Sequence, residues 1–427
     1  MEVYLPVILM LLGLFLGLPV FPSIFLAVLI YFPLAGNPRA AIGVQRLIGA
    51  AENSVILAVP FFIMVGSLMN YTGITRRMLN LADVLSGRLA GGLAQTNILL
   101  STLMGGISAS NLADCAMTCK VLAPEMERRG FSREYSAAVT AASSLITPII
   151  PPGIALIIYG YVADVSIGRM FMAGIIPGLS IFLAMAVATH IISRRRGYKP
   201  SRAAWPTLGE LAAAVWNALP GLSLVLVIIG GIRLGVFTPT EAGAAAVVFI
   251  IAIGTLVYRE MRLEHLYYAL VDCARSTASI MLVIMACSAF SWILSWEQVT
   301  LHITRYITGV TDDPRVFLAA LNIFLLICGM FMEGNALLIV LVPILKPTAV
   351  AMNIDLVQFG IIFIINLAIG TLTPPIGTVT LLAVNLTNSR MGPFLKELLP
   401  YLGCLLLVLL LCTYWPAYVA WFPDLAQ

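Results

Sequence analysis

The feature that most constrains this chain is a series of long, uninterrupted apolar segments. Six of them could each cross a bilayer as one helix: 54–71, 170–192, 215–232, 238–258, 276–297 and 396–420. About 20 apolar residues span the hydrocarbon core of a membrane. Because that core offers no water to backbone N–H and C=O groups, a spanning segment must be a helix or part of a closed barrel. The segments lack the alternation of barrel strands, so the sequence predicts an all-α polytopic membrane protein.

The charge content excludes most other classes. Only 10% of the residues are charged and 60% are hydrophobic, whereas a soluble domain carries about 25% charged residues. A soluble enzyme, a nucleic-acid-binding protein and a disordered chain are therefore excluded, and no nucleic acid partner is expected. The seven cysteines lie within apolar segments without zinc-ligand spacing, which indicates small buried hydrophobic residues. A Walker loop and a nucleophile–base pair are both missing, so we expect neither ATP-driven pumping, nor enzyme activity, nor an organic cofactor.

Four further segments depart from a plain spanning helix. Residues 135–165 and 357–387 are too long for one straight helix and contain Pro-Pro in the middle. They are predicted to be two proline-broken helices. Residues 95–123 and 315–346 are apolar at both flanks but have Gly, Ser, Asn or Glu at the centre. This pattern is typical of re-entrant helical hairpins.

Lysine and arginine residues in short loops predict the orientation in the membrane. The loop after residue 192 contains five basic residues before its first acid: Arg194, Arg195, Arg196, Lys199 and Arg202. We therefore expect residues 193–206 on the cytoplasmic side and the C-terminus on the outer side. The first apolar run, 3–34, is interrupted by Pro19 and Pro22 and could form one bent span or a tight pair.

An internal repeat connects the two halves. Five residues recur 223 positions later, namely Pro124, Pro151, Pro152, Phe171 and Pro177 as Pro347, Pro374, Pro375, Phe394 and Pro400. With one inserted residue, Gly105 and Asn111 recur as Gly329 and Asn335. An odd number of predicted crossings separates the two hairpins, so the repeat should be inverted. Inverted repeats with broken helices indicate a secondary transporter with a midplane binding site.

The repeat divides the chain into four predicted parts. They are an N-terminal membrane segment at 1–53, a first repeat at 54–192, a cytoplasmic loop with connecting spans at 193–275, and a second repeat at 276–427. The first repeat contains the hairpin 95–123 and the broken helix 135–165. The second contains the hairpin 315–346 and the broken helix 357–387.

The broken segments have the chemistry of an ion site. Proline lacks an N–H and clashes with the preceding turn, so nearby carbonyl groups lose their helical partners. Together with Ser and Thr hydroxyls, they offer hard oxygen ligands for a small dehydrated cation such as Na⁺, while half-helix N-termini face an anionic group. The alternative is that the prolines only bend the helices and the small residues only allow close packing.

A resemblance to a known family rests on the segment Gly230–Ala242, which reads GGIRLGVFTPTEA. It resembles a signature of the large membrane subunit of TRAP transporters, the DctM/SiaM-like family. The GISAS tip, the IPP break and the TPPIG break match the same family, and the resemblance covers roughly residues 5–420. It implies an elevator-type Na⁺ symporter of the bacterial inner membrane. The implied substrate is an organic carboxylate of the sialic acid or C4-dicarboxylate type.

The resemblance also implies partners. These are a small four-helix membrane subunit and a periplasmic substrate-binding protein, with membrane lipid surrounding the chain. A self-sufficient Na⁺-coupled dicarboxylate carrier or antiporter of related hairpin architecture remains the alternative. Polar side chains near the predicted tips favour a hydroxylated acid, such as a sugar acid, as the substrate.

Residue roles follow from the resemblance position by position. One Na⁺ site would use Ser108, Ser110, Thr147 and the backbone carbonyls of Ile150 and Pro152. The repeat-related site would use Gly329, Gly334, Gly370 and Thr373. The predicted substrate-binding residues are Asn111, Glu333, Asn335 and Thr378. Glu333 stands where relatives often have Asp, which leaves the reach of its carboxylate open.

Three other charged residues have alternative interpretations. Asp114, just past the first tip, is either functional or merely solvated. Glu241 follows Thr238 at the start of a helix and is expected to cap it. Arg233 lies on the predicted outer side, where it either attracts an organic anion or extends to the interface as a span-end arginine.

Overall fold

The structure is a computed structural model, and it describes residues 4–34, 37–108 and 110–425, without the side chains of 15, 37–40, 107, 108 and 425. Within these ranges the chain is a series of α-helices joined by short turns, and no strand occurs there. The prediction of an all-α chain is confirmed.

The N-terminal part contains five helices. They are α1 (Leu5–Phe15), α2 (Val20–Leu34), α3 (Asn37–Ala51), α4 (Ala58–Thr72) and α5 (Ile74–Ser86). The first apolar run forms a tight pair of separate short helices, α1 and α2. The start of α1 and the end of α2 both contact residues between 297 and 302. The Tyr4 hydroxyl is 3.5 Å from His302 Nδ1, and the Tyr31 hydroxyl donates to Glu297.

A sharp bend separates α4 from α5. The two helix axes differ by 75° across Gly73. Gly73 has φ +75°, a left-handed conformation that glycine adopts without the steric cost other residues meet. The apolar helix α4 therefore ends there, and the amphipathic helix α5 leaves in another direction.

The remaining helices follow in three groups. The first group is α6 (Gly92–Ser108), α7 (Asn111–Val121), α8 (Ala123–Arg128), α9 (Arg133–Ser143), α10 (Ile154–Ala163) and α11 (Ile167–Arg196). The connecting group is α12 (Leu208–Arg233), α13 (Pro239–Ala252, continued by a π-helical turn, Ile253–Val257) and α14 (Leu263–Trp296). The last group is α15 (Val299–Val310), α16 (Pro314–Phe331), α17 (Gly334–Ala351), α18 (Leu356–Leu372), α19 (Thr378–Thr387), α20 (Met391–Tyr414) and α21 (Pro416–Leu425).

The helix boundaries repeat with the offset seen in the sequence. Helices α9 and α18 begin 223 residues apart, and the pairs α10 with α19 and α11 with α20 begin 224 residues apart. Between the members of each broken helix lies a Pro-Pro bond in the cis form, Pro151-Pro152 in one half and Pro374-Pro375 in the other. Both long segments are therefore broken in the middle, as their prolines predicted.

The two broken helices run in opposite directions. We call the end of the molecule that carries Arg194–Arg196 and the loop 197–206 the basic end. At this end the Ser132 N–H donates to Tyr198 Oη at 3.4 Å, and Ser389 Oγ donates to the Arg133 carbonyl at 3.5 Å. At the other end the Tyr159 hydroxyl donates to the Leu356 carbonyl at 2.6 Å. The start of α9 thus lies beside the end of α19, and the end of α10 lies beside the start of α18.

The centre of the molecule is formed by the broken helices. Every residue of α18 from Val357 to Leu372 is buried, and so is α9 from Tyr135 to Ser143. A helix that is apolar all round belongs in an interior. Buried amide nitrogens there donate hydrogen bonds, Asn97 Nδ2 to Thr140 Oγ1 at 2.6 Å and Asn366 Nδ2 to Asn322 Oδ1 at 2.7 Å.

Seven described helices are long and apolar enough to cross a membrane. They are α11, α12, α13 with its π-helical turn, α14, α16, α17 and α20, and the bent pair α4–α5 could add an eighth. Large apolar side chains such as Leu183, Val187, Leu226 and Val248 are exposed on the outer surface, as lipid contact requires. All six predicted single spans coincide with helices, although the last ends at Tyr414, before Pro416. The structure is that of a multi-pass membrane protein.

Candidate functional site

A cavity of about 400 Å³ lies where the two broken helices and the two helix–turn–helix tips converge. One wall is formed by the tips, at 110–113 and 333–335, and by residues beside both breaks. The facing wall is formed by α4 and α14, which precede the two hairpins in the chain. All four predicted substrate-binding residues, Asn111, Glu333, Asn335 and Thr378, line this cavity, and so does Ser110 of the predicted first Na⁺ site.

The first tip is held by local hydrogen bonds. Ser110 is the N-cap of α7, where its Oγ accepts a hydrogen bond from the Ala113 N–H at 3.4 Å. Asn111 Nδ2 donates to Thr371 Oγ1 at 3.4 Å, which joins this tip to the second broken helix. Ala109 and the side chain of Ser108 lie outside the described parts of the chain, so the predicted role of the Ser108 hydroxyl stays a prediction.

The second tip is held by its acid. Glu333 is the N-cap of α17, and its carboxylate accepts hydrogen bonds from Asn335 N–H at 3.1 Å and Ala336 N–H at 2.9 Å. These contacts use the free N–H groups of the helix start. Glu333 therefore has a structural task in addition to its place in the cavity lining, which the sequence interpretation did not include.

Carbonyl groups are released at both breaks. In a continuous helix the Thr147 and Pro148 carbonyls would accept hydrogen bonds from residues 151 and 152, but both are prolines and have no N–H. The Gly370 and Thr371 carbonyls lose partners in the same way at Pro374 and Pro375. The Gly370 carbonyl regains one, because it accepts from Thr373 N–H at 3.0 Å. Each break therefore exposes oxygen atoms that can bind a cation.

Thr147 is buried against an acid that the sequence left undecided. Its hydroxyl donates to Asp114 Oδ2 at 3.1 Å, and Asp114 is only 1% exposed. The second carboxylate oxygen, Asp114 Oδ1, is buried and has no hydrogen-bond partner among the described residues. A buried carboxylate oxygen without a partner is costly, and a cation beside it would remove that cost. The structure thus adds Asp114 as a candidate ligand to the predicted first Na⁺ site, which consists of Ser108, Ser110, Thr147, Ile150 and Pro152.

The second predicted Na⁺ site contains a close backbone contact. A Cβ atom placed on Gly370 would lie 2.6 Å from Gly329 Cα, so only glycine lets these two chain segments approach. Gly334 lies next to them, and a Cβ atom placed there would lie 3.4 Å from Leu367 Cβ. Thr373 Oγ1 donates to the Ile369 carbonyl at 2.9 Å. The structure therefore brings Gly329, Gly334 and Gly370 to one place, with the Thr373 hydroxyl bound to its own helix.

Two helix starts at the cavity are without side-chain caps. Helix α10 begins after Gly153 and helix α19 begins after Gly377, and neither N-cap offers a side-chain hydrogen bond. Ile154, Ala155 and Thr378, in the first turns of these helices, line the cavity. Free N–H groups and the positive end of the helix dipole at such a start favour a negatively charged group. The cavity can therefore hold a carboxylate at this side.

A second, larger cavity of about 1150 Å³ lies at the end opposite the basic end. Arg46, Arg169 and Arg233 line it, together with Ser288 and Ser291 of α14. Arg233 thus faces a polar space, and Arg169 forms an ion pair with Asp424 at 3.3 Å.

The expected cap at Glu241 is confirmed. The Glu241 carboxylate accepts a hydrogen bond from the Thr238 N–H at 2.8 Å, while the Glu241 N–H donates to Thr238 Oγ1 at 3.3 Å. These reciprocal bonds form a capping box at the start of α13. Glu241 is therefore a structural residue of this helix start.

Two residues on the facing wall were missed by the sequence interpretation. Ser67 of α4 donates to Asp272 Oδ2 of α14 at 2.6 Å, and both line the central cavity. They lie outside the hairpins and the broken helices, so the residues that recur between the two halves could not indicate them. The available signal was an acid, Asp272, within a long and mainly apolar helix.

Antiparallel broken helices around a polar cavity, in a chain with at least seven apolar spanning helices, define a membrane protein of the secondary-transporter type. Residues 7–418 match the family described as "Tripartite ATP-independent periplasmic transporter, DctM component". The chain belongs to this family, and the resemblance seen in the sequence is confirmed.

Relatives agree with this assignment, and a solved structure has a similar fold. The chain is 36% identical over 416 residues to the sialic acid TRAP transporter large permease protein SiaM of Vibrio cholerae, covering 96% of each chain. It is 34% identical over 379 residues to the C4-dicarboxylate TRAP transporter large permease protein DctM of Pseudomonas aeruginosa, covering 89% of this chain and 88% of that one. The fold is similar to the YdaH transporter of Alcanivorax borkumensis, with a TM-score of 0.63, 14% identity and 88% coverage of each chain.

Proposed function

We propose that this chain is the translocation subunit of a Na⁺-coupled, binding-protein-dependent importer of an organic carboxylate. The observation that carries the proposal is the central cavity, because both tips, both breaks and all four predicted substrate-binding residues meet there. Membership of the DctM component family makes the chain one component of a tripartite transporter. Relatives named for sialic acid and for C4-dicarboxylates indicate the class of substrate.

Na⁺ would bind beside each break as a co-transported substrate. The first site would use the released carbonyls near Thr147, the tip hydroxyls of Ser108 and Ser110, the Ile150 and Pro152 carbonyls, and the buried Asp114 carboxylate. The second would use Gly329, Gly334, Gly370 and Thr373. The donor set fits the ion, because carbonyl, hydroxyl and carboxylate oxygens are hard ligands and Asp114 Oδ1 has no partner among the described residues.

The organic acid would bind between the tips. Its carboxylate would face the uncapped starts of α10 and α19, and Asn111, Asn335 and Thr378 would bind its polar groups. Na⁺ bound at the breaks would lower the repulsion among the local carbonyl oxygens and draw each tip against its partner helix. The substrate half-sites would then become ordered, which links the two binding events.

The transport movement would be of the elevator type. The two hairpins α6–α7 and α16–α17, re-entering the membrane from opposite sides, would move together with the broken helices. Helices α4, α12, α13 and α14 would form the static wall together with a small four-helix membrane subunit. Support comes from the cavity itself, which lies between the tips and breaks on one side and α4 and α14 on the other.

In the bacterial inner membrane, the basic end would face the cytoplasm by the distribution of Arg and Lys. The larger cavity would then open to the periplasm, where Arg46, Arg169 and Arg233 would attract an organic anion released by a periplasmic binding protein. The residues 193–206 would lie in the cytoplasm and the C-terminus in the periplasm.

The test is uptake of substrate into proteoliposomes that contain the chain and the small subunit, with loaded binding protein in the outer solution. Uptake should require all three components and a Na⁺ gradient, and it should fall when any one is omitted. Robust Na⁺-dependent uptake by the purified chain alone would overturn the tripartite part of the proposal. Uptake that does not depend on the Na⁺ gradient would overturn the proposed Na⁺ coupling.

Two variants test the ion sites in the same vesicles. Thr373→Ala and Ser110→Ala each remove a hydroxyl and leave the carbonyls, so both should shift the Na⁺ curve to higher concentration while the fold is kept. Matched controls lie away from the cavity. Thr255→Ala removes a hydroxyl that bonds the carbonyl four residues earlier, as Thr373 does, and Ser132→Ala removes an N-cap like that of Ser110. Unchanged Na⁺ curves for both site variants would show that these hydroxyls only pack.

A further inference from the structure

The wall of the central cavity formed by α4 and α14 contains a carboxylate held in place by a serine. Ser67 is buried, and its hydroxyl donates its single proton to Asp272 Oδ2 at 2.6 Å. Asp272 is exposed to the cavity, and its other oxygen, Oδ1, has no hydrogen-bond partner among the described residues. The serine therefore fixes the orientation of the acid and leaves one oxygen able to accept a hydrogen bond.

The charged residues that line the cavity, within the described part of the chain, are both negative. They are Asp272 and Glu333. Glu333 already accepts hydrogen bonds from two N–H groups of α17. Asp272 has no such task, and no ion pair between described residues includes it, not even with Arg275 three positions along α14. Among the described residues that line the cavity, Asp272 is thus the charged group that forms no ion pair and caps no helix.

The opposite wall has the opposite character. The uncapped helix starts after Gly153 and Gly377 present N–H groups and the positive ends of helix dipoles to the cavity. A ligand that spans the cavity would meet positive partial charge at one side and a carboxylate at the other. This arrangement selects for a molecule whose two ends differ in charge or in hydrogen-bonding character.

We propose that Asp272 selects the substrate class, and that the transported molecule is a monocarboxylate with a hydrogen-bond donor, an ammonium or a hydroxyl group, at its far end. The proposal rests on the proposed function and narrows its substrate. A dicarboxylate would place its second carboxylate against Asp272, where two like charges repel and neither offers a donor. A donor-bearing monocarboxylate would instead complete the hydrogen bonding of Asp272 Oδ1.

The experiment compares ligands of similar length that have different ends. The purified complex of the full chain with its small subunit, in Na⁺-containing buffer, is titrated by calorimetry with succinate, β-alanine and 3-hydroxypropanoate. These three share one carboxylate and differ in the terminal group. N-acetylneuraminate is titrated in the same way, as a larger monocarboxylate that has several hydroxyl groups. We expect at least one donor-bearing compound to bind about 10- to 100-fold more tightly than succinate, the range for a hydrogen bond to a charged group.

Variants assign the preference to Asp272. Asp272→Asn should reduce the affinity for the preferred donor-bearing compound at least about tenfold and bring it towards that of succinate. Asp83→Asn is the matched control. Asp83 accepts a hydrogen bond from Ser201 Oγ at 2.6 Å, as Asp272 does from Ser67, but it does not line the cavity. This control should leave the order of affinities unchanged. Ser67→Ala keeps the acid but removes its support, and should have an intermediate effect.

Three results would overturn the proposal: succinate binding as tightly as the best donor-bearing compound, no donor-bearing compound binding at all, or Asp272→Asn leaving the affinities unaltered. Uptake into vesicles separates this failure from a failure of the proposed function. Na⁺-driven uptake of a dicarboxylate would refute the role of Asp272 and keep the transporter. Uptake without Na⁺ dependence would refute the coupling, whereas the calorimetric order of affinities would still decide the role of Asp272.

Discussion

The contact between Gly329 and Gly370 can be perturbed by a single methyl group. In Gly370→Ala the new Cβ would lie 2.6 Å from Gly329 Cα, 2.7 Å from its carbonyl carbon and 3.0 Å from its oxygen. Carbon atoms in favourable contact are about 3.5–4.0 Å apart, so α16 and α18 must separate by about 1 Å. All three neighbouring atoms belong to the backbone, so no side chain can rotate out of the way.

The size of the effect follows from this separation. Overpacking of a tight interior site costs about 1–3 kcal/mol. If Na⁺ binding requires the second tip to lie against α18, the same cost enters the binding equilibrium, which corresponds to a change of about 5- to 150-fold. The half-saturating Na⁺ concentration should rise accordingly. Because the cost falls on the closed arrangement of the tip, the protein should still reach the membrane.

The assay is the initial uptake rate against Na⁺ concentration in the reconstituted tripartite system. Gly329→Ala should have a smaller effect, because its Cβ would lie 3.0 Å from Gly370 Cα. Gly403→Ala is the control, since a Cβ there meets no atom of the described residues within 4 Å. A wild-type Na⁺ curve for Gly370→Ala at normal membrane levels would refute the link between this contact and Na⁺ binding, and so would an equal shift in Gly403→Ala.

Three further predictions concern other parts of the molecule. A reporter that is active only in the periplasm, fused after Gln427, should be active, and inactivity would reverse the proposed orientation. Asp114→Asn keeps the shape of the side chain next to Thr147 but removes its charge, so uptake should need more Na⁺; an unchanged curve would make Asp114 a packing residue. Thr238→Ala removes the capping box with Glu241 and should lower stability by about 1 kcal/mol, seen as a lower melting temperature, with no change in Na⁺ dependence.

Much of the fold was predictable because membrane spans and their interruptions have strong local signals. Long apolar runs identified the spanning helices, and paired prolines identified the breaks. The helices α3, α5 and α15 were missed because they are short and amphipathic. Helix α5, for example, contains Arg76, Arg77 and Asp83 among its apolar residues, so a search for apolar runs passes over it.

The candidate site was predictable to the extent that it lies within the repeat. Asn111 and Asn335 occupy corresponding positions, and both line the cavity. Asp272 and Ser67 could not be found in this way, because they lie outside the hairpins and broken helices, 205 residues apart, and only the packing of α4 against α14 brings them together. The burial of Asp114 depends likewise on the packing of α7 against the first break. No local sequence pattern indicates this packing.

The two predicted ion sites are physically connected. Asn111 at the first tip donates a hydrogen bond to Thr371, and Thr371 adjoins Gly370 at the second break. A displacement of the first tip therefore acts on the segment that must meet Gly329 for the second tip to close. When two sites bias the same movable contact, each raises the affinity of the other by an equal factor. Because the central cavity lies between the same tips, we expect Na⁺ at both breaks and the organic acid to bind as one cooperative unit, with Asp272 contributing from the facing wall.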